Sequence, residues 1–376
     1  MGNTIKKSDY LNIKSKYILK IIFDYLSQHK KLKIISYNKT IQTKLDIDIK
    51  DFKEYLNIEI ELIPYDESGK FINIPKGNES FYHIYFNDNP EEIKRNYKEG
   101  NEEISKIKIS INYEIKSLYA LFEKCNCIYS IKFIKFIRNN IENMSYMFSY
   151  CSSLYKIDLT NFNTTNVTDM SNMFCYCSNL GTLDLSSFNN NKLINMKNMF
   201  SGCLSLKNIY FSNFNTKNVT DMSFVFNNCL SLQELNLANF NTDNVINMKY
   251  MFNNCTSLKI LNIYSFNTSK VIDMSGMFCN CISLKILDLS HFNTKNVTDM
   301  NKMFFGCQNL KELDVSNFST EKVTNKEQMF KGCFSLSSKD LDILKNSKIK
   351  IKKDIFEGSN SSLNSNTEEK KKCICF

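Results

Sequence analysis

The stretch Phe292–Phe318 reads FNTKNVTDMNKMFFGCQNLKELDVSNF, and similar stretches precede it along most of the chain. The cysteines show the interval most clearly, since nine of them follow one another every 26 residues: Cys125, Cys151, Cys177, Cys203, Cys229, Cys255, Cys281, Cys307 and Cys333. A constant interval in this range is typical of repeat proteins, in which every copy forms one structural unit. The chain is therefore interpreted as a repeat array.

Three further columns of residues keep the same 26-residue interval. One column is phenylalanine at Phe148, Phe174, Phe200, Phe226, Phe252, Phe278, Phe304 and Phe330. A second is methionine at Met144, Met170, Met196, Met222, Met248, Met274 and Met300, and a third is phenylalanine at Phe162, Phe188, Phe214, Phe240, Phe266, Phe292 and Phe318. Chance does not keep four registers in step, so we expect each column to fill one position of a shared core.

Each repeat has two halves with different apolar spacing. Residues Leu284–Phe292 follow the pattern L-x-x-L-x-L-x-x-F, whose alternating part predicts a short strand. In the other half, apolar residues from Val167 to Leu180 fall three or four positions apart, which predicts a short helix or helical turns. One repeat cannot bury both stripes alone, but stacked repeats can. The sequence therefore predicts an α/β repeat fold, a leucine-rich-repeat-like solenoid with a parallel strand ladder.

The consensus FNTKNVTDMSxMFxxCxSLxxLDLSxF resembles the repeat of the BspA-like leucine-rich repeat family over residues 118–336. The resemblance implies a curved solenoid that binds proteins, often as a surface protein or adhesin. The N-terminal stretch MGNTIKKSDYLNIKSKY lacks the apolar segment of a signal peptide, and no segment has the length and apolarity of a membrane-spanning helix. We therefore expect a cytoplasmic protein, with a cell-surface adhesin as an alternative.

We expect four regions along the chain. Residues 1–100 form a small mixed α/β domain, with a helix at Tyr17–Leu26 and strands at Ile58–Ile63 and Phe81–Phe86. Residues 104–336 form the solenoid with a degenerate first rung, 337–357 a C-terminal cap, and 358–376 a flexible tail. Tyr17–Leu26 also faintly resembles an F-box-like motif, which gives a second alternative: a substrate receptor of a ubiquitin ligase.

Composition excludes several functions. The 376 residues are 43% apolar, which is enough for a substantial core, and only 10 are glycine and 3 histidine. No G-x-G-x-x-G or G-x-x-x-x-G-K-[ST] stretch occurs, and no nucleophile–base or carboxylate pair stands outside the repeat columns. We therefore expect no enzyme, no catalytic residues and no cofactor.

The basic balance does not indicate nucleic acid. The net charge is +9, yet only Arg95 and Arg138 are arginine, the residue that most often reads phosphates and base edges. The cysteine column has an equally simple interpretation, because reduced cysteine is a small buried apolar residue and no histidine recurs beside it. We expect reduced thiols, no metal and no nucleic acid.

The end of the sequence, Cys373-Ile-Cys-Phe376, resembles a C-a-a-X prenylation box preceded by Lys370–Lys372. Cys373 is the expected lipidation site. We expect the chain at the cytoplasmic face of a membrane, the plasma membrane first, with part of it soluble, because one lipid chain anchors only marginally.

The protein partner is expected on the strand face, at outward positions between the apolar residues of the L-x-x-L-x-L pattern. These candidates are Asp158, Asp184, Asp288 and Asp314, which follow the repeat consensus, and Tyr210 and Tyr264, which break their columns. Exposed tyrosines are common anchors of protein interfaces. The sequence thus predicts a non-enzymatic protein-binding module on a prenylated membrane tether.

Overall fold

The computed structural model describes residues 16–27, 30–31, 34–35, 38–47, 49–315 and 317–336. Two helices lie at the N-terminal end, α1 (Lys16–Asp24) and α2 (Lys39–Leu45). Short 3-10 helices follow at Ile49–Phe52, Glu54–Leu56 and, further on, Glu79–Phe81. The predicted helix at Tyr17–Leu26 is thus present as α1, and its buried side chains pack with those of α2 in a small core of their own.

The first strands form a mixed sheet that leads into the array. They are β1 (Ile58–Pro64), β2 (Gly69–Lys70), β3 (Tyr82–Phe86), β4 (Tyr97–Lys98), β5 (Ile107–Ile111) and β6 (Ile128–Lys135). The sheet order is β3-β5-β1-β6-β7, antiparallel up to β6 and parallel from β6 to β7. Strand β5 lies beyond the predicted boundary at residues 100–104, so the sheet crosses that boundary.

Seven three-residue strands then recur every 26 residues. They are β7 (Lys156–Asp158), β8 (Thr182–Asp184), β9 (Asn208–Tyr210), β10 (Glu234–Asn236), β11 (Ile260–Asn262), β12 (Ile286–Asp288) and β13 (Glu312–Asp314). The pairs β8–β9, β10–β11 and β12–β13 are parallel and in register. This confirms the predicted solenoid with a parallel strand ladder and a small mixed domain before it.

The second half of each repeat forms consecutive turns and not an α-helix. The N–H of Cys175 donates to the carbonyl oxygen of Asn172 within the rung, while the N–H of Phe174 donates to Met199 in the next rung at 2.9 Å. Asn172 and Tyr176 have φ of 56° and 57°, and this left-handed backbone breaks the helical path. Of the two predicted alternatives, the turns are correct, because half of the N–H groups bond between rungs.

One continuous apolar core runs from β1 through the last described rung. All nine predicted cysteines are buried, as are the predicted phenylalanine and methionine columns. The rings of the first phenylalanine column stack between rungs, with Phe226 and Phe252 5.8 Å apart at 2°. The predicted C-terminal cap, 337–357, and tail, 358–376, lie outside the described residues.

Candidate protein-interaction surface

The strand face is the surface made by the outward side chains of β7–β13 and of the residues just beside them. Its geometry follows from strand alternation, since successive side chains point to opposite sides. In β8, Leu183 is buried while Thr182 and Asp184 are exposed. The register pairs Asp184 with Tyr210 and Thr182 with Asn208. Outward residues of neighbouring rungs therefore stand side by side, in columns about 4.8 Å apart.

The aspartates at the predicted binding positions shape turns. The side-chain Oδ1 of Asp158 accepts hydrogen bonds from the N–H and hydroxyl of Thr160, at 3.0 and 2.7 Å. Asp184 and Asp288 accept the N–H of the residue two positions on in the same way. Hydrogen bonds from Thr160 and Ser290 lower the pKa of Asp158 and Asp288 respectively. Their binding role stays a prediction; the turn bonds give these residues a structural one.

The two predicted tyrosines stand in solvent on different columns and two rungs apart. Tyr210 ends β9 with 51% of its surface exposed, and Tyr264 follows β11 with 69% exposed. A large exposed aromatic side chain offers contact area to a partner at low entropic cost. The structure therefore presents both rings on the face where the sequence places the partner.

Two exposed isoleucines on the same face escaped the sequence analysis. Ile260 and Ile286 begin β11 and β12 and expose 57% and 60% of their surfaces. They occupy neighbouring rungs of a column in which the other residues are Lys156, Thr182, Asn208, Glu234 and Glu312. Reading this column for departures, as was done for the tyrosines, finds both isoleucines. With Tyr210 and Tyr264 they form what we call the apolar patch of the strand face.

A shallow groove of ≈ 580 Å³ lies on another side of the rungs, beside the turns. Thr168, Ile194 and Thr220 lie along it, together with Lys192, Asn218, Asn244 and Lys270. Several of its polar groups already have partners: Lys270 Nζ donates to Asn244 Oδ1 at 2.7 Å, and Asn218 Nδ2 donates to the Asn191 carbonyl. No residue predicted to bind a partner lines this groove.

The column cysteines are thiols held in the core. The Sγ of Cys255 donates to the carbonyl oxygen of Phe226, at 3.1 Å, and Cys203 donates to Phe174 in the same way. Burial raises the pKa of Cys255 to about 12, so the thiolate is strongly disfavoured. All twelve cysteines of the described residues are free, and no group of metal-ligating side chains occurs among those residues. Cys373 lies outside the described part of the chain.

In the part of the chain that the structure describes, no helix has the length and apolarity needed to span a membrane.

Comparisons with known proteins agree with the repeat reading. A leucine-rich repeat protein from T. pallidum, known from a crystal structure, is similar at 17% identity over 61% of this chain and 92% of that chain, with a TM-score of 0.29. No curated protein matches the chain. The family described as "Mycoplasma protein of unknown function, DUF285" matches residues 116–212, 204–286 and 259–370, which together cover more than half of the sequence. The chain belongs to the DUF285 family.

Proposed function

We propose that the protein is a non-enzymatic binding module that holds a protein partner on the strand face of its solenoid. The observation that carries the proposal is the apolar patch, four large side chains that remain exposed although the array buries its other apolar columns. An exposed apolar cluster rimmed by polar residues is typical of an interaction site. The turn-forming aspartates give this patch a polar rim.

The spacing of the patch suits a partner that crosses several rungs. Tyr210 lies in the fourth strand position of the array's paired ladder, two rungs from Ile260 and Tyr264, and Ile286 lies one rung further. At about 4.8 Å per rung, the patch extends roughly 14 Å along the solenoid. Contacts over this length need a partner surface and not a single side chain.

The test is capture of binding proteins by the full chain, compared with a Tyr210→Ser/Tyr264→Ser variant. Loss of two anchoring rings should weaken capture at least about tenfold, since interface tyrosines commonly contribute 1–2 kcal/mol or more. The matched control is Tyr119→Ser/Tyr150→Ser, which removes two exposed rings from the turn side of the array. A partner held equally by wild type and by the Tyr210/Tyr264 variant would remove the tyrosines from the site.

A membrane tether is the second part of the proposal, and it is supported by the sequence at Cys373–Phe376. Where Phe376 is the carboxyl terminus of the mature protein, Cys373 is the expected attachment point of a prenyl chain. Cys373→Ser should move the protein to the soluble fraction on cell fractionation, and Cys375→Ser should change little. Mass analysis that finds Cys373 unmodified would end the tether and leave the binding module as proposed.

A further inference from the structure

A column of lysines borders the apolar patch on the strand face. Lys207, Lys259, Lys285 and Lys311 each stand one residue before a strand, and Gln233 takes the remaining rung between them. All five side chains are exposed. We call these four lysines the lysine row.

The backbone fixes the side chains of the lysine row in register. The N–H of Lys259 donates to the carbonyl oxygen of Gln233, and the N–H of Lys311 donates to that of Lys285, both at 2.8 Å. Lys207 bonds in the same way to Gly181. The ammonium groups therefore start from backbone positions about 4.8 Å apart, and the row spans about 19 Å from first to last.

The row carries positive charge that the described residues leave uncompensated. None of the ion pairs among those residues uses any of the four ammonium groups. Lys259 Nζ donates to the side-chain oxygen of Gln233 at 3.3 Å, which leaves its charge in place. Like charges stacked at this spacing repel one another, and a bound anion relieves that repulsion.

The neighbouring columns restrict the shape of the anion. The column next to the row contains Glu234 and Glu312 as well as Ile260 and Ile286, and the column after that contains Asp288 and Asp314. The positive strip is thus one residue wide, with apolar side chains and then carboxylates beside it. A broad, uniformly anionic surface such as duplex DNA would meet those carboxylates, whereas a narrow chain can avoid them.

We propose that the lysine row binds an acidic, extended segment of the partner protein, with apolar side chains of that segment on Ile260, Ile286 and Tyr264. This specifies the partner of the proposed binding module and rests on that function. An extended peptide rises about 3.3 Å per residue, so roughly six residues span the row. Alternate side chains of such a segment point to the same side, which lets acidic residues follow the lysines while apolar residues meet the patch.

The test measures binding of the full chain to three labelled synthetic peptides of about twelve residues that share one apolar pattern. Their polar positions are glutamate, glutamine or lysine, and duplex DNA serves as a fourth probe. The glutamate peptide should bind at least about tenfold more tightly than the glutamine peptide, and added salt should reduce the difference.

Charge reversal then locates the contact. Lys259→Glu/Lys285→Glu/Lys311→Glu should weaken glutamate-peptide binding at least about tenfold. The matched control, Lys192→Glu/Lys217→Glu/Lys295→Glu, changes the net charge equally at exposed lysines away from the strand face and should weaken binding less than about threefold. Circular dichroism of both variants checks that the array remains folded.

Three results would overturn the proposal: equal binding of the glutamate and glutamine peptides, equal weakening by both triple variants, or DNA that binds more tightly and depends on the row. If the glutamate peptide fails while capture still depends on Tyr210 and Tyr264, the acidic segment is wrong and the binding module stands. If the peptide result holds while capture ignores the tyrosines, the tyrosine anchors are wrong and the lysine row stands.

Discussion

The strand face and the turn side of the same rungs are held together differently. On the turn side, eight parallel bridges continue without interruption from Ser117 to Asn325, and the bridging residues of the full rungs are all aspartate or asparagine. On the strand face, β8–β13 form sheet hydrogen bonds two by two, in three separate pairs. The outward strand residues also vary from rung to rung, from Glu234 to Ile260.

This contrast indicates where the array can vary without losing its fold. The turn side repeats the same residue types because each side chain there has a fixed task, such as the Oδ1 of Asp273 that accepts the N–H of Ser275 at 2.8 Å. The outward strand residues have no comparable task, so lysine, isoleucine and tyrosine replace one another there. A repeat protein that binds a partner through variable residues is expected to place them on such a face.

The largest expected effect comes from the core that joins the two sides. Phe226 is fully buried in the middle of the array, and its ring stacks on Phe200 at 5.4 Å and on Phe252 at 5.8 Å. Phe226→Ala should lower the free energy of unfolding by about 3–5 kcal/mol, because it leaves a cavity between two rungs. Urea denaturation followed by circular dichroism measures the loss.

The control for Phe226→Ala is Ile260→Ala, a truncation on the strand face. Ile260 is mostly exposed, so its loss should change the free energy of unfolding by no more than about 0.5 kcal/mol. Similar losses in the two variants would contradict the division between a structural core and a variable strand face.

A smaller effect is expected from the buried threonines that follow the strands. The hydroxyl of Thr268 donates to the carbonyl oxygen of Asn293 at 3.0 Å and accepts the N–H of the same residue at 2.8 Å. Thr268→Val keeps the shape but leaves both backbone groups without this partner, so unfolding should become easier by about 1–3 kcal/mol. Thr182→Val, at an exposed strand position, is the matched control.

If Thr268→Val and Thr182→Val unfold at the same urea concentration, the threonine hydroxyls do not hold the rungs together. The comparison also separates shape from hydrogen bonding, because both substitutions exchange a hydroxyl for a methyl group.

Sequence reasoning predicts the solenoid well because the 26-residue interval is a property of the whole array. Val167, Met170, Phe174 and Cys177 were assigned to one apolar stripe, and all four are buried. The same spacing does not distinguish a helix from consecutive turns, since both bring every third or fourth side chain inward. Hydrogen bonds between residues 26 apart decide between them, and a stripe within one repeat carries no sign of those bonds.

The surface is harder to predict, because exposure depends on which neighbour each side chain meets in the next rung. Tyr210 and Tyr264 are visible from the sequence as departures from their columns, and both are exposed. Tyr250 also departs from its column, yet its ring stacks on Phe224 at 5.3 Å and lies against Gly276. Only the structure shows that the first two rings are open to a partner while the third is half covered.

The smallest expected effect compares one glycine on each side of the rungs. Gly276, on the turn side, has φ of 59°, and a Cβ there would meet the ring carbon Cε1 of Tyr250 at 2.2 Å. Gly181, at the edge of the strand face, has no such φ, and its nearest listed-range neighbour, the Ser205 carbonyl oxygen, would be 4.0 Å from a Cβ. Gly276→Ala should therefore destabilise the array by about 1–2 kcal/mol through the left-handed backbone, with the Tyr250 ring displaced as well. Gly181→Ala should be neutral or stabilise it by up to about 1 kcal/mol, because alanine restricts the unfolded chain without meeting an obstacle. Urea denaturation of both variants measures the difference, and tyrosine fluorescence reports the movement of the Tyr250 ring. Equal stabilities would mean that the turn side tolerates change as readily as the strand face, and the structural reason for placing the partner on the strand face would be lost.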